Sequence, residues 1–212
     1  MGTINKGILG VFKGTVGTVV GSSWRGISYI KSRPGKRSGQ PSQLQAEQQA
    51  KFSLMIKFML TLRVLLETTF SRFANGMTGM NSAFSYNLKN AVTGTYPDFS
   101  IDFASVLISR GDLPNAGLPA ATAGTAGKID FTWTDNSGTG KAAATDTCIL
   151  VAYCADKNLS VYKDAGAARS AGSDTLDVPA FSGKTVQTWV AFMSAGGSEI
   201  SVSEFTGAVD VL

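Results

Sequence analysis

The side chains best suited to binding chemistry lie close together near the start of the chain. Arg25, Lys31, Arg33, Lys36 and Arg37 fall in one stretch, with Trp24 and Tyr29 beside them. Cations at this density suit phosphate oxygens, and neighbouring aromatic rings suit stacking on bases. The same pattern also describes a basic arm that is solvated or docked on protein, and no recognised nucleic-acid-binding fold surrounds it. Catalytic chemistry has fewer candidates. Histidine is absent, which removes the commonest general base and the commonest zinc ligand, and with them the Ser-His-Asp, Cys-His and His-metal arrangements. Asp98, Asp102, Asp112, Asp130 and Asp135 remain, and their settings read as solvated strand and turn positions. The expectation is a protein that is not an enzyme, with no cofactor and no metal.

Three short patterns resemble motifs and fail on detail. Ser137-Gly138-Thr139-Gly140-Lys141 suggests a phosphate loop, but Asp135 stands where the first glycine belongs and Ala142 where a magnesium-binding hydroxyl belongs. Gly14, Gly17 and Gly21 do not match the dinucleotide spacing, and no strand-to-helix unit follows them. Arg110-Gly111-Asp112 reads as a surface turn. Cys148 and Cys154 share one expected strand, in which extended chain holds them roughly 20 Å apart. That is beyond disulfide reach, so both are expected to be reduced, half-buried packing residues.

The elements that must position these groups change character along the chain. The first part holds glycine at 2, 7, 10, 14, 17, 21 and 26 among Val, Ile and Phe, a pattern too costly for a helix. It predicts two strands, about 15–23 and 27–33, turning around Trp24-Arg25-Gly26. A lone hairpin is marginal in water, so this arm is expected to lie against something else. After a basic linker, Ser42 with Gln45 three residues on has the form of a capping box. Phe52, Met55, Ile56, Met59, Leu62, Leu66, Phe70 and Phe73 then recur at helical spacing up to Asn75-Gly76. A single helix of that extent would be about 45 Å long. It would outreach a small sandwich, so Phe52, Ile56 and Met59 are expected to meet the arm or another subunit. A shorter helix follows near 81–91.

From about residue 96, strand-like runs alternate with Gly, Asn, Asp and Ser, at 101–109, 128–134, 146–154, 158–162, 174–178, 185–193, 198–203 and 207–211. Ala195-Gly196-Gly197 supplies a hairpin turn. Alternation in Ile129-Asp130-Phe131-Thr132-Trp133 marks one buried face. The fold class expected is α+β, mainly β: an N-terminal glycine-rich hairpin arm (1–40), a helical segment with one long and one short helix (41–95), and an antiparallel immunoglobulin-like or fibronectin-III-like sandwich (96–212).

Charge divides along the same axis. Residues 1–90 hold 12 Lys/Arg and 2 Asp/Glu, and residues 91–212 hold 7 and 13. The basic half suits nucleic acid, an anionic surface, or the acidic half of a neighbouring copy. The apolar run 52–70 carries Lys57, Arg63 and Glu67, a poor membrane span. The opening residues lack a secretory pattern, from which cytoplasmic synthesis is expected.

Gly2-Thr3-Ile4-Asn5-Lys6-Gly7-Ile8-Leu9-Gly10, Gly17-Thr18-Val19-Val20-Gly21-Ser22-Ser23-Trp24, Arg33-Pro34, Lys51-Phe52 and Ser85-Tyr86-Asn87-Leu88-Lys89-Asn90-Ala91 resemble, over nearly the whole chain, a family of uncharacterised Bacteroidota proteins of similar size. The resemblance implies no activity and brings no site residues. The function expected is structural: a subunit of a phage-like particle or filament that forms homo-oligomers or joins other subunits, docking through Trp24, Arg25, Tyr29, Lys31, Arg33, Lys36 and Arg37 and the helix face. A nucleic-acid-associated protein and a glycan- or protein-recognition module stand as alternatives.

Overall fold

A computed structural model describes the chain apart from Met1, residues 5–9, Arg25 and residues 36–38. It divides into two compact units, residues 1–42 and residues 43–212.

The first unit is a four-stranded antiparallel meander of β1 (Thr3–Ile4), β2 (Phe12–Val16), β3 (Val19–Trp24) and β4 (Ile27–Ser32), ordered β1-β2-β3-β4. The strand expected over 15–23 is cut in two. Val16 pairs with Val19 across a Gly17-Thr18 turn, and Gly17 adopts φ 59°, a left-handed conformation that glycine reaches without a Cβ penalty. Gly21 is required for a different reason. A Cβ there would overlap the Phe12 carbonyl oxygen and ring, so the absence of a side chain lets β2 approach closely.

The second unit begins with α1 (Gln43–Leu60), α2 (Arg63–Thr69) and α3 (Gly79–Asn90). The single long helix expected from the periodicity is broken at Thr61 and Leu62. Their amide groups donate to Phe58 and Met59, three residues back, each at 3.1 Å, and the Thr61 hydroxyl also donates to the Phe58 carbonyl at 2.7 Å. Bonding of this kind tightens the last turn and competes with the regular helical ladder. The apolar stripe runs on through the break, because Met55, Phe58, Met59, Leu62, Leu65, Leu66 and Phe70 are all buried. Thr78 caps α3 by accepting from the Asn81 amide.

A hairpin of β5 (Val92–Thr95) and β6 (Asp98–Ile101) follows α3. The strand expected over 101–109 is instead a 3-10 turn at Phe103–Ser105 and an extended segment. Its alternation has a real cause: the Asn87 side chain accepts from the Leu107 amide at 2.8 Å and donates to its carbonyl at 2.9 Å. The Ile108 amide donates to the Ser203 hydroxyl at 2.9 Å and the Ser203 amide to the Ser109 carbonyl at 3.2 Å, so side chains and single backbone bonds stand in for a strand ladder.

The sandwich consists of β7 (Gly117–Ala123), β8 (Lys128–Thr134), β9 (Thr147–Cys154), β10 (Leu159–Lys163), β11 (Ser173–Asp177), β12 (Thr185–Met193) and β13 (Glu204–Asp210). One sheet has the order β11-β8-β7 and the other β10-β9-β12-β13, with all pairs antiparallel. This is an immunoglobulin/fibronectin-III-like arrangement. β7 was not expected, since Gly-Leu-Pro-Ala-Ala-Thr-Ala carries little β-propensity. The strand expected at 198–203 contracts to single bridges at Ile200 and Ser201, and the last strand starts earlier, at Glu204.

The four-stranded sheet is buried on both faces. Cys148, Leu150, Ala152, Cys154, Val186, Val190 and Phe192 pack inward with Ile129, Phe131 and Leu176. Ile149, Val151, Tyr153, Trp189 and Ala191 pack outward against Met55, Phe58, Met59 and Leu66. The helical face expected to meet the arm or another subunit therefore covers the sandwich of its own chain. The boundary expected at 95/96 has no counterpart, because helices and sandwich share one core.

Candidate interaction surface

Pairing in the first unit fixes which side chains share a face. Val20 pairs with Thr15 and Lys31, Ser22 with Tyr29, and Trp24 with Ile27. Alternation along a strand then places Lys13, Thr15, Val20, Ser22, Trp24, Ile27, Tyr29 and Lys31 on one face. The opposite face holds Phe12, Gly14, Val16, Val19, Gly21, Ser28, Ile30 and Ser32, and among the described residues it carries no charge. Trp24, Ile27, Tyr29 and Ile30 are 52%, 71%, 42% and 67% exposed. Every residue of β4 is exposed, and β4 is an edge strand.

The residues expected to form the interaction surface separate on this structure. Trp24, Tyr29 and Lys31 stand together on one face, and Arg33 follows β4, exposed, with its amide donating to the Thr18 carbonyl at 2.7 Å. Arg25, Lys36 and Arg37 lie outside the described residues. The helical members belong to the second unit. Met59 is fully buried, and Ile56 is half-buried against the same core, because the stripe they belong to packs on β9 and β12. Phe52 is half exposed, with its ring 4.7 Å from that of Phe84. The sequence reading missed Lys13, Ile27 and Ile30. The signal was present, since any hairpin turning at Trp24-Arg25-Gly26 puts Ile27 beside Trp24.

Several polar groups of the second unit hold the fold. Arg169 is fully buried: its guanidinium pairs with Asp146 at 3.2 Å, donates to Asn136 Oδ1 at 2.7 Å and to the Pro114 carbonyl at 2.9 Å, and lies 4.3 Å from the centre of the Phe192 ring. Asp174 accepts from Lys163 at 2.7 Å, from the Ala167 amide at 2.8 Å and from the Cys148 thiol at 3.3 Å. Burial, and then the bond to that carboxylate, push the Cys148 thiol up to about 12, the opposite of what a nucleophile needs. Asp102 accepts from the Ala104 amide and the Ser105 hydroxyl, Asp130 from the Thr175 hydroxyl, and Asp135 from the Ser137 amide. The Ser137 hydroxyl and amide hold the Asp135 carboxyl below its ordinary value. The Arg110-Gly111-Asp112 turn is packed, with Arg110 over the Phe73 ring and Gly111 against the Ile200 carbonyl. Among the described residues no cluster of three His, Cys, Asp or Glu side chains is placed to hold a metal, and no helix is long and apolar enough to cross a membrane.

Similar solved structures include the fn3 domain of human collagen alpha-1(XX) chain, at 13% identity and TM-score 0.35, covering 49% of this chain and 90% of that one. The chicken CNTN1 FN1-FN3 domains are similar at 11% identity and TM-score 0.37, covering 49% of this chain and 36% of that one. No curated protein matches. A family model matches residues 11–207, and the chain belongs to that family of unknown function, DUF6266.

Proposed function

We propose that this is a non-enzymatic assembly protein, a subunit of a particle or filament, in which the unit of residues 43–212 is the rigid body and the N-terminal sheet is the docking element. The observation that supports this reading is the exposure of β4 along its whole length. A single-layer sheet that leaves apolar side chains in water gains by burying them against a partner surface, and an exposed edge strand carries a row of backbone groups ready to pair with another chain. The uncharged face with Phe12, Val16, Val19 and Ile30 offers apolar contact. Two copies can meet there without opposing like charges.

Light scattering with sedimentation tests this on the full chain. Regular oligomers are expected, and Ile30→Ser is expected to shift them toward monomer without changing the thermal transition of residues 43–212. A clean monomer at high concentration sinks the proposal.

A further inference from the structure

Trp24, Tyr29, Lys13 and Lys31 share the face turned away from the uncharged one, and all four are exposed. Trp24 and Tyr29 are diagonal neighbours across the β3/β4 pair, since Trp24 faces Ile27 and Tyr29 faces Ser22. Diagonal positions of this kind are about 7–8 Å apart. Both aromatic side chains therefore project from the same face of the sheet, which also carries Lys13 and Lys31. From that geometry we infer that this face is a platform for single-stranded nucleic acid, with Trp24 and Tyr29 stacking on successive bases and Lys13 and Lys31 meeting the phosphates.

Charge selects this occupant over the same face of a second copy. Residues 1–42 contain seven Lys/Arg, at 6, 13, 25, 31, 33, 36 and 37, and no Asp or Glu. Two such faces repel each other, whereas a polyanion gains from every cation it reaches and releases its own counterions. Base access selects single strands over duplex. A ring on an open sheet can stack only on a base whose face is free, which a duplex hides and a single strand presents. The small residue beside Tyr29 on this face, Ser22, leaves room for a base to lie down on the sheet. The inference rests on the reading of residues 12–32 as an interaction sheet, but it concerns the other face.

The test titrates the full-length protein into fluorescently labelled oligothymidylate, oligouridylate and a duplex of the same length across a series of salt concentrations. Binding of single strands well above duplex is expected, and the two oligonucleotides decide between DNA and RNA as the source. Trp133 and Trp189 are buried, so quenching of tryptophan fluorescence on binding should come from Trp24. Changing Trp24→Leu and Tyr29→Leu together should weaken binding by about tenfold or more. Lys31→Gln should lower the slope of log affinity against log salt by about 0.7 while leaving the aromatic platform in place. The inference falls if single strands are not bound at low salt, if duplex binds equally well and the aromatic changes have no effect, or if anionic phospholipid vesicles bind and oligonucleotides do not. Ile30→Ser separates the two readings. Loss of oligomers with oligonucleotide binding intact leaves this inference standing, whereas intact oligomers that bind no oligonucleotide remove it and leave the assembly reading untouched.

Discussion

Replacing Phe58 with alanine tests the claim that helices and sandwich form one body. The Phe58 ring is 99% buried and lies 4.6 Å from the Tyr153 ring on β9, 6.1 Å from Trp189 on β12 and 6.0 Å from Phe103. Removing a buried phenyl group typically costs about 3–5 kcal/mol, the transfer term plus the cavity it leaves. The upper part of that range is expected here, because separate elements hold the walls of the cavity and cannot all close on it. For a unit of this size each kcal/mol moves the midpoint by about 2–4 °C, so a loss of about 4 kcal/mol lowers it by about 8–16 °C. Thermal unfolding should be followed by far-ultraviolet circular dichroism for the helices and by tryptophan fluorescence for the sandwich. Both signals should move down together in the variant and coincide in each protein. A helical transition that drops while the tryptophan signal stays where it was would refute the shared core, as would a shift of only a degree or two.

Two further predictions concern the buried polar groups. Arg169→Ala should cost about 3–5 kcal/mol, because it leaves the Asp146 carboxylate buried without its countercharge; Arg169→Ala combined with Asp146→Ala should cost less than the sum of the two single changes, and additivity in chemical denaturation would contradict the pairing. The Cys148 thiol, raised to about 12, holds almost no thiolate at pH 8, and thiolate is the reactive form. Iodoacetamide should therefore label Cys148 in native protein only as fast as the protein unfolds, and rapid labelling at pH 8 would show that the thiol is neither buried nor bonded to Asp174.

What could be read before folding depended on how local the cause was. The N-terminal hairpin was legible because glycine placement and β-branched residues act within a few positions. The helical stripe was legible as a period but not as two helices, since the Thr61 hydroxyl turns back on Phe58 without interrupting the apolar spacing. Residues 101–109 alternate as a strand would, yet their partners include the side chains of Asn87, Thr69 and Ser203, which no pattern within the segment reveals. β7 left almost no trace, because pairing with β8 supplies the order that its alanines do not. On the N-terminal sheet, Trp24, Tyr29 and Lys31 were singled out from residue type alone, and strand register places them on one face. Ile27, Ile30 and Lys13 emerge only when strand register sorts them by face.

The uninterrupted run Ile149-Leu150-Val151-Ala152-Tyr153 shows most clearly where local information stops. By itself the sequence determined that a strand lies there, since a short apolar run bounded by turn residues suits one. It also determined the split between a basic first half and an acidic second half, and the absence of histidine chemistry. Only the tertiary structure decided what covers the second face of that strand. The helices of the same chain do so, and they use up the apolar stripe that would otherwise read as a docking surface. The reason is physical: periodicity states that a face must be shielded from water, but burial is equally favourable against any apolar surface, and the chain's three-dimensional path selects which one.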